Sequence, residues 1–355
     1  MANISSGSTG GNLSGPSIRI LSLDGGGTRG LSSLIVLRDL MEKVAIKKGI
    51  TQHDLIRPSE HFDLIVGSGT GGISALFLGR LRMTVDEAII AYQQVAKAAF
   101  QPPTIFARIH RQLTPSEPSL KRRLGDIIQR VLKNRNAPLF DPAGDESAKC
   151  RTAVLAATSA DAGAPPHIFR SYGTSFPPSR FTICEVACAA IALAGESLPV
   201  SLGNPPVEYI SASLVGYNNP ADVAYLEAGK IWPTRSISCL VSVGTGLQQI
   251  VQIGGGWRKH IEACEQVLRD CESVHHTMYQ SRLQRKMTYF RLNASRGLVD
   301  IREWTRSGSQ SCIAGITSGY LRDPEVIDSL DSCAKSLLGK YTFRTPWAML
   351  NAFHS

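Results

Sequence analysis

Residues 17–30 read Ser-Ile-Arg-Ile-Leu-Ser-Leu-Asp-Gly-Gly-Gly-Thr-Arg-Gly, and this stretch decides the fold. Its first half, Ser17–Leu23, has the short apolar alternation of a strand, Asp24 to Gly30 is glycine-rich enough for a tight turn, and Leu31 to Lys47 carries Leu34, Leu37 and Met41 at helical spacing. The order strand, glycine-rich loop, helix then repeats. Phe62–Val66 is a buried strand, Gly67-Ser68-Gly69-Thr70-Gly71-Gly72 the loop, and Ile73 to about Leu81 the helix. Thr84-Val85-Asp86-Glu87 reads as a helix start, with Thr84 as N-cap and Glu87 three residues on to close a capping box. Thr152–Thr158, Val207–Ser211, Ser236–Val243 and Met287–Leu292 supply further strands with helical segments between them. Such alternation predicts an α/β fold whose mainly parallel sheet is covered by helices on both faces.

Composition narrows the class. The chain has 355 residues, of which 43% are hydrophobic and 19% charged, enough to bury a sizeable core. The apolar run Ala187–Ala194 is bounded by Glu185, Gly195 and Glu196, well short of the roughly 20 residues that a bilayer span needs. Residues 1–16 are Ser/Gly/Asn-rich and read as a flexible tail without a secretory signal, leaving 17–355 as a single domain. The stretches Gln101–Ser119, with four prolines, and Asn134–Lys149 are expected as surface loops. The formal charge of +9 is spread along the chain. Its densest groups, Arg108-Ile109-His110-Arg111 and Lys121-Arg122-Arg123, fall in or beside a helical stretch and read as a solvated face. No aromatic RNA-binding signature, zinc finger or helix-turn-helix pattern accompanies them, so nucleic acid is not an expected partner, whereas peripheral contact with an anionic membrane surface is compatible with the charge. The eight cysteines form no C-x-x-C pair, which suits free thiols in a reducing, intracellular compartment. Neither metal nor cofactor is expected.

Each glycine turn taken alone is ambiguous. Gly67-x-Gly69-x-x-Gly72 matches a dinucleotide fingerprint, but that reading needs an acid ending a second strand, and Asp86 and Glu87 instead open a helix. Asp24-Gly-Gly-Gly-Thr28 matches the first phosphate loop of sugar kinases and actin, which would be followed by a β-hairpin rather than a helix. Plain tight turns remain the third possibility.

Taken together with Ser242-Val243-Gly244-Thr245-Gly246, the turns resemble the patatin-like phospholipases. In that family a D-G-G-G-x-R-G loop, matched by Asp24 to Gly30, supplies the oxyanion hole; a nucleophile elbow G-x-S-x-G follows; and a later D-G-[GA] motif brings the Asp of a Ser–Asp dyad that works without histidine. The resemblance extends to His167–Tyr172, to Asn218-Asn219-Pro220 with Glu227-Ala228, and to Tyr289–Asn293, covering roughly Ile18 to Thr305. The remaining stretch, with Trp304 and Trp347 at or beyond its edge, looks like the helical end of fungal members. A three-layer patatin-like fold, an oxyanion hole at Gly25, Gly26, Gly27 and Arg29, and lipid acyl hydrolysis are what the resemblance implies.

The chain departs from the family where the chemistry sits. Gly69 stands at the nucleophile position and carries no oxygen, and Ser68 and Thr70 on either side should leave the turn in other directions. The Asp position falls on Ser211, by the preceding strand end, or on Ala212, by spacing back from Asn218; neither is an acid. Within Glu185–Ala194, the residues Ala190, Ile191 and Ala194 stand where Thr, Ser and Pro are usual. An acyl-enzyme route needs an activated oxygen, so the dyad mechanism is not expected to operate. The expectation is a retained pocket, with Asp24, Ser68, Thr70, Ile191 and Asn218 around it, that takes a lipophilic acyl, polyketide or terpenoid molecule. Orientation and the loop's amides would then promote non-hydrolytic chemistry such as cyclisation or isomerisation. Two alternatives stay open: a lipid acyl hydrolase inactivated by mutation, and a non-catalytic lipid-binding pseudoenzyme. Substrate, oligomeric state and any general acid or base are left open by the sequence.

Overall fold

The computed structural model describes residues 15–52, 55–100, 117–140, 150–173, 180–192, 199–247, 256–294, 297–298, 301 and 308–339. Residues 1–14 of the expected tail, the cluster at Arg108–Arg111, Ala194, Trp304 and Trp347 lie outside them. Among the described residues eight strands form one sheet: β1 Ile18–Leu23, β2 Leu64–Ser68, β3 Arg151–Thr158, β4 His167–Arg170, β5 Val200–Leu202, β6 Val207–Ser211, β7 Ile237–Val243 and β8 Thr288–Leu292. Each strand expected from the sequence is present, displaced by no more than a residue or two. β4 and β5 were not expected, because four and three residues are too short to show a two-residue period.

The sheet runs β5-β6-β3-β2-β1-β7-β8, with β4 also pairing with β3. β3, β2, β1, β7 and β8 are mutually parallel, while β4, β5 and β6 add an antiparallel edge. Parallel strands need crossovers, and helices supply them. On one face lie α1 Gly30–Lys48, α2 Thr70–Ala75 with its π-type extension Leu76–Arg80, α3 Val85–Ala99, α4 Glu117–Leu132 and α5 Ile183–Ala190. The other face carries α6 Ala221–Ile231, which crosses from the β6 edge to β7. Further on come α7 Trp257–Leu268, α8 Glu272–Ser281, α9 Ser309–Leu321 and α10 Pro324–Leu337, the last two packed on α1. Alternation along β1 divides the core: Leu21 and Leu23 join the cluster with α1, α2 and α5, and Ile18 and Ile20 join the cluster with Ala221, Ala224 and Ala228 of α6. The fold is therefore the three-layer α/β arrangement expected.

Local signals act as read. Thr84 Oγ1 accepts from the Glu87 N–H at 3.3 Å and the Glu87 carboxylate accepts from the Thr84 N–H at 2.8 Å, starting α3. A second capping box, Thr182 with Glu185, starts α5 and was not singled out in the sequence. Lys121, Arg122 and Arg123 are exposed on α4. All eight cysteines are free, five of them buried. No described helix is long and apolar enough to cross a membrane.

Candidate functional site

Three glycine turns leave the carboxyl ends of neighbouring strands. β1 lies between β2 and β7, with chain order running away from it in both directions, so the loops after β1, β2 and β7 meet where strand order reverses. Open α/β sheets bind ligands at such a point.

The turn after β2 has the backbone of a nucleophile elbow. Gly69 sits at φ +55° and ψ −130°, a conformation that non-glycine residues hold only under strain. Its carbonyl accepts from the Gly72 N–H at 3.0 Å as α2 begins. The strained position of this turn is thus held by a residue without a side chain.

The loop after β1 is held on every side. The Asp24 N–H donates to the Val243 carbonyl at 3.1 Å, the Gly25 N–H to the Asn218 carbonyl at 3.1 Å and the Gly26 N–H to Thr70 Oγ1 at 3.2 Å. Thr245 Oγ1 donates to the Gly25 carbonyl at 2.9 Å, and the buried Tyr92 hydroxyl of α3 donates to the Gly27 carbonyl. At Gly26 the approach is close enough that a Cβ would run into the Thr245 side chain. Of the oxyanion-hole residues expected, Gly25 and Gly26 therefore have their amides engaged within the protein. Gly27 opens the short 3-10 turn Gly27–Arg29, so its N–H has no acceptor inside that turn. Arg29 folds back, its Nε donating to the Gly26 carbonyl at 3.3 Å.

The remaining expected site residues separate into supporting and filling roles. Asp24 is 1% exposed and ion-paired to Arg291 at 2.7 Å. Burial pushes its carboxyl up to about 6, against the downward pull of that guanidinium. Arg291 also holds Glu272 at 2.7 Å, so Asp24 belongs to a buried charge network behind the loop and faces no open space. Asn218 Nδ2 donates to the Arg269 carbonyl at 2.7 Å, linking the loop to the α7–α8 junction. Thr70 is committed to Gly26, and Ser68 Oγ is buried within the sheet with no partner among the described residues. Ile191 caps the end of α5 and is 2% exposed. None of the turns that meet here carries a histidine; His167, for one, packs between the rings of Phe169 and Tyr209.

The space beside Gly69 is not empty. A Cβ placed on Gly69 would lie 2.8 Å from Ser213 Oγ, 3.1 Å from Ser213 Cβ and 3.3 Å from the Gly25 Cα. Ser213 belongs to the 3-10 turn Ala212–Leu214 that follows β6, and its hydroxyl lies 2.8 Å from that of Ser211. Two serine hydroxyls thus lie beside Gly69. Ser211 and Ala212 also part company: the Ser211 hydroxyl reaches toward the elbow through Ser213, whereas Ala212 is buried in the cluster on the α6 face. Sequence reasoning did not single out Ser213. The signal was present, since whichever of Ser211 and Ala212 is aligned with the Asp of D-G-[GA], Ser213 stands where the family has glycine or alanine.

Away from the elbow, Glu227 of α6 accepts from Arg170 Nη2 at 3.0 Å and from the Tyr172 hydroxyl at 2.9 Å, tying β4 and its following turn to α6. Those residues are structural. A cleft of about 600 Å3 between α3 and α4, edged by Lys97, Arg122, Arg123 and Arg130, includes no residue of the elbow or its loops.

The site is framed by a parallel-centred three-layer sheet, a clamped glycine loop and a strained strand-to-helix turn. The chain belongs to the patatin-like phospholipase family, whose profile matches residues 21–225. It is 28% identical to the calcium-independent phospholipase A2-gamma of Oryctolagus cuniculus over 251 residues, covering 66% of this chain and 29% of that protein. It is 27% identical to phospholipase A I of Arabidopsis thaliana, covering 68% and 22% of the two chains. It is also 27% identical to a protein of the same plant named "Probable inactive patatin-like protein 9", covering 58% and 53%. The chain thus spans under a third of the length of the first two relatives.

Proposed function

We propose that this chain binds a lipophilic acyl, polyketide or terpenoid molecule at the elbow and acts on it without an acyl-enzyme, by orienting it against the Gly27 amide for a non-hydrolytic step such as cyclisation or isomerisation. The observation that carries the reading is Ser213 in the place of the missing side chain. A hydrolase disabled by a single substitution at Gly69 would leave an unfilled elbow. Here the nucleophile position, the acid position and the residue filling the gap all differ from the family in a mutually fitting way. The preserved elbow backbone and the loop clamped by Thr70, Tyr92 and Thr245 support retention of a preorganised polar end for a carbonyl group.

A second reading, lipid binding without turnover, is favoured by one observation: Asp24, the sole acid in the loops that meet at the elbow, is sealed behind its loop by Arg291. The named inactive relative fits both readings. The test is to incubate the native chain with lipophilic extracts and with p-nitrophenyl acyl esters. Ester cleavage at the uncatalysed rate with conversion of an extract component supports the first reading. Binding of a component without chemical change supports the second, and ester turnover by the native chain overturns both.

A further inference from the structure

Helix α7 is amphipathic in the wrong sense for a core helix. At about 100° per residue, Trp257, Ile261, Cys264 and Leu268 fall within an arc of about 60°. Those side chains are exposed: Trp257 by 70%, Ile261 by 49% and Leu268 by 47%, with Cys264 exposed as well. Ala263, the sole buried side chain described on this helix, lies about 130° round from the centre of that arc, and Val267, between the two, is 56% exposed. The apolar stripe therefore points away from the protein body. Immediately beyond, α8 and its end expose Tyr279, with the Arg282 guanidinium 3.5 Å from its ring centroid, and Leu283.

The helix is attached to the site. It packs on the 3-10 turn Ala212–Leu214 that carries Ser213, and the carbonyl of Arg269 just after its end accepts from Asn218 Nδ2 at 2.7 Å. The segment is mildly cationic in sequence, although Arg269 pairs with Glu265 and Arg285 with Asp222. From Trp257 to Lys286 there are six Lys and Arg (258, 259, 269, 282, 285, 286) against four Asp and Glu (262, 265, 270, 272), in a chain of net charge +9.

We propose that α7 is a docking helix that lays Trp257, Ile261 and Leu268 into the interface of an anionic phospholipid bilayer, holding the Ser213 side of the elbow against the membrane. Trp at the start of such a stripe seats its ring among headgroups while keeping its N–H wet, and flanking lysine and arginine meet the phosphates. Four side chains in one stripe fall short of the roughly 800 Å2 per partner that a stable protein interface buries, which favours the bilayer over a second copy.

The test is vesicle flotation with phosphatidylcholine alone and with phosphatidylcholine plus phosphatidylglycerol, for the native chain and for the triple variant W257A/I261S/L268S. The altered side chains face solvent, so the variant should melt within about 2 °C of the native chain. Native chain should float with the anionic vesicles, and the variant should bind about tenfold or more weakly. Failure of the native chain to float, equal flotation of a folded variant, or a native dimer that the triple change converts to monomer would each overturn the proposal. Flotation needs no ligand at the elbow, so its failure leaves the reading of Gly69 and Ser213 standing.

Discussion

Returning the missing oxygen should destabilise the protein unless Ser213 is changed with it. Gly69→Ser places a Cβ on a backbone at φ +55° and ψ −130°, which costs about 1–3 kcal/mol in strain. That Cβ also meets Ser213 Oγ at 2.8 Å and Ser213 Cβ at 3.1 Å. Rotating the Ser213 side chain relieves the first contact and not the second, so overpacking adds about 1–2 kcal/mol. The sum is about 3 kcal/mol, or roughly 4 °C in Tm for a chain of 355 residues. Ser213→Gly alone loses the hydroxyl pair with Ser211 and gains backbone freedom, about 1–2 kcal/mol in all. In the double variant the collision is gone, and urea unfolding followed by circular dichroism should find it about 1–2 kcal/mol less destabilised than the sum of the single changes. Additivity to within about 0.4 kcal/mol would show that Ser213 does not occupy the nucleophile's space, and the central argument about the elbow would fall.

Three further outcomes follow from groups around the site. Asp24 titrates near 6 when folded and near 3.8 otherwise, so the folded state holds the proton more tightly and stability attributable to this group falls as pH rises between those values. The difference in unfolding free energy between native chain and Asp24→Asn should therefore shift by up to ~3 kcal/mol between about pH 4 and pH 7, and a flat difference would show that burial does not govern the group. Arg170→Ala strands the buried Glu227 carboxylate and should cost about 3 kcal/mol at neutral pH. Burial raises the Glu227 pKa, but Arg170 and Tyr172 outweigh it and hold it below the usual range, so this stability is lost as pH falls through the folded value and the penalty should shrink in acid denaturation profiles. Tyr92→Phe takes one of two donors from the Gly27 carbonyl, which keeps the Gly30 N–H; a loss of about 1 kcal/mol is expected by urea unfolding, with faster amide exchange in residues 25–29.

Much of the fold was legible because its signals are local. Strand, glycine turn and helix recur in short windows, and the capping box at Thr84 is complete within four residues. β4 escaped because four residues beside a longer strand owe their conformation to pairing with β3, not to their own pattern. At the candidate site, motif spacing picks out Gly69 and Ser211 or Ala212 as positions, but it does not say what surrounds them. Asp24 pairs with Arg291, far along the chain, because β1 and β8 flank β7 in register.

What the sequence determined by itself is chemical: no hydroxyl at residue 69 and no carboxylate at 211 or 212, whatever the fold does with them. The tertiary structure alone decided what stands there instead. Ser213 meets Gly69 across 144 positions of chain because β6 joins the edge of β3 and delivers its following turn to the end of β2. The same holds for α7, whose apolar stripe is visible as periodicity but whose outward direction is not. A helical period says which residues share a face, and only the exposure of Trp257, Ile261 and Leu268 in the folded chain says which way that face turns.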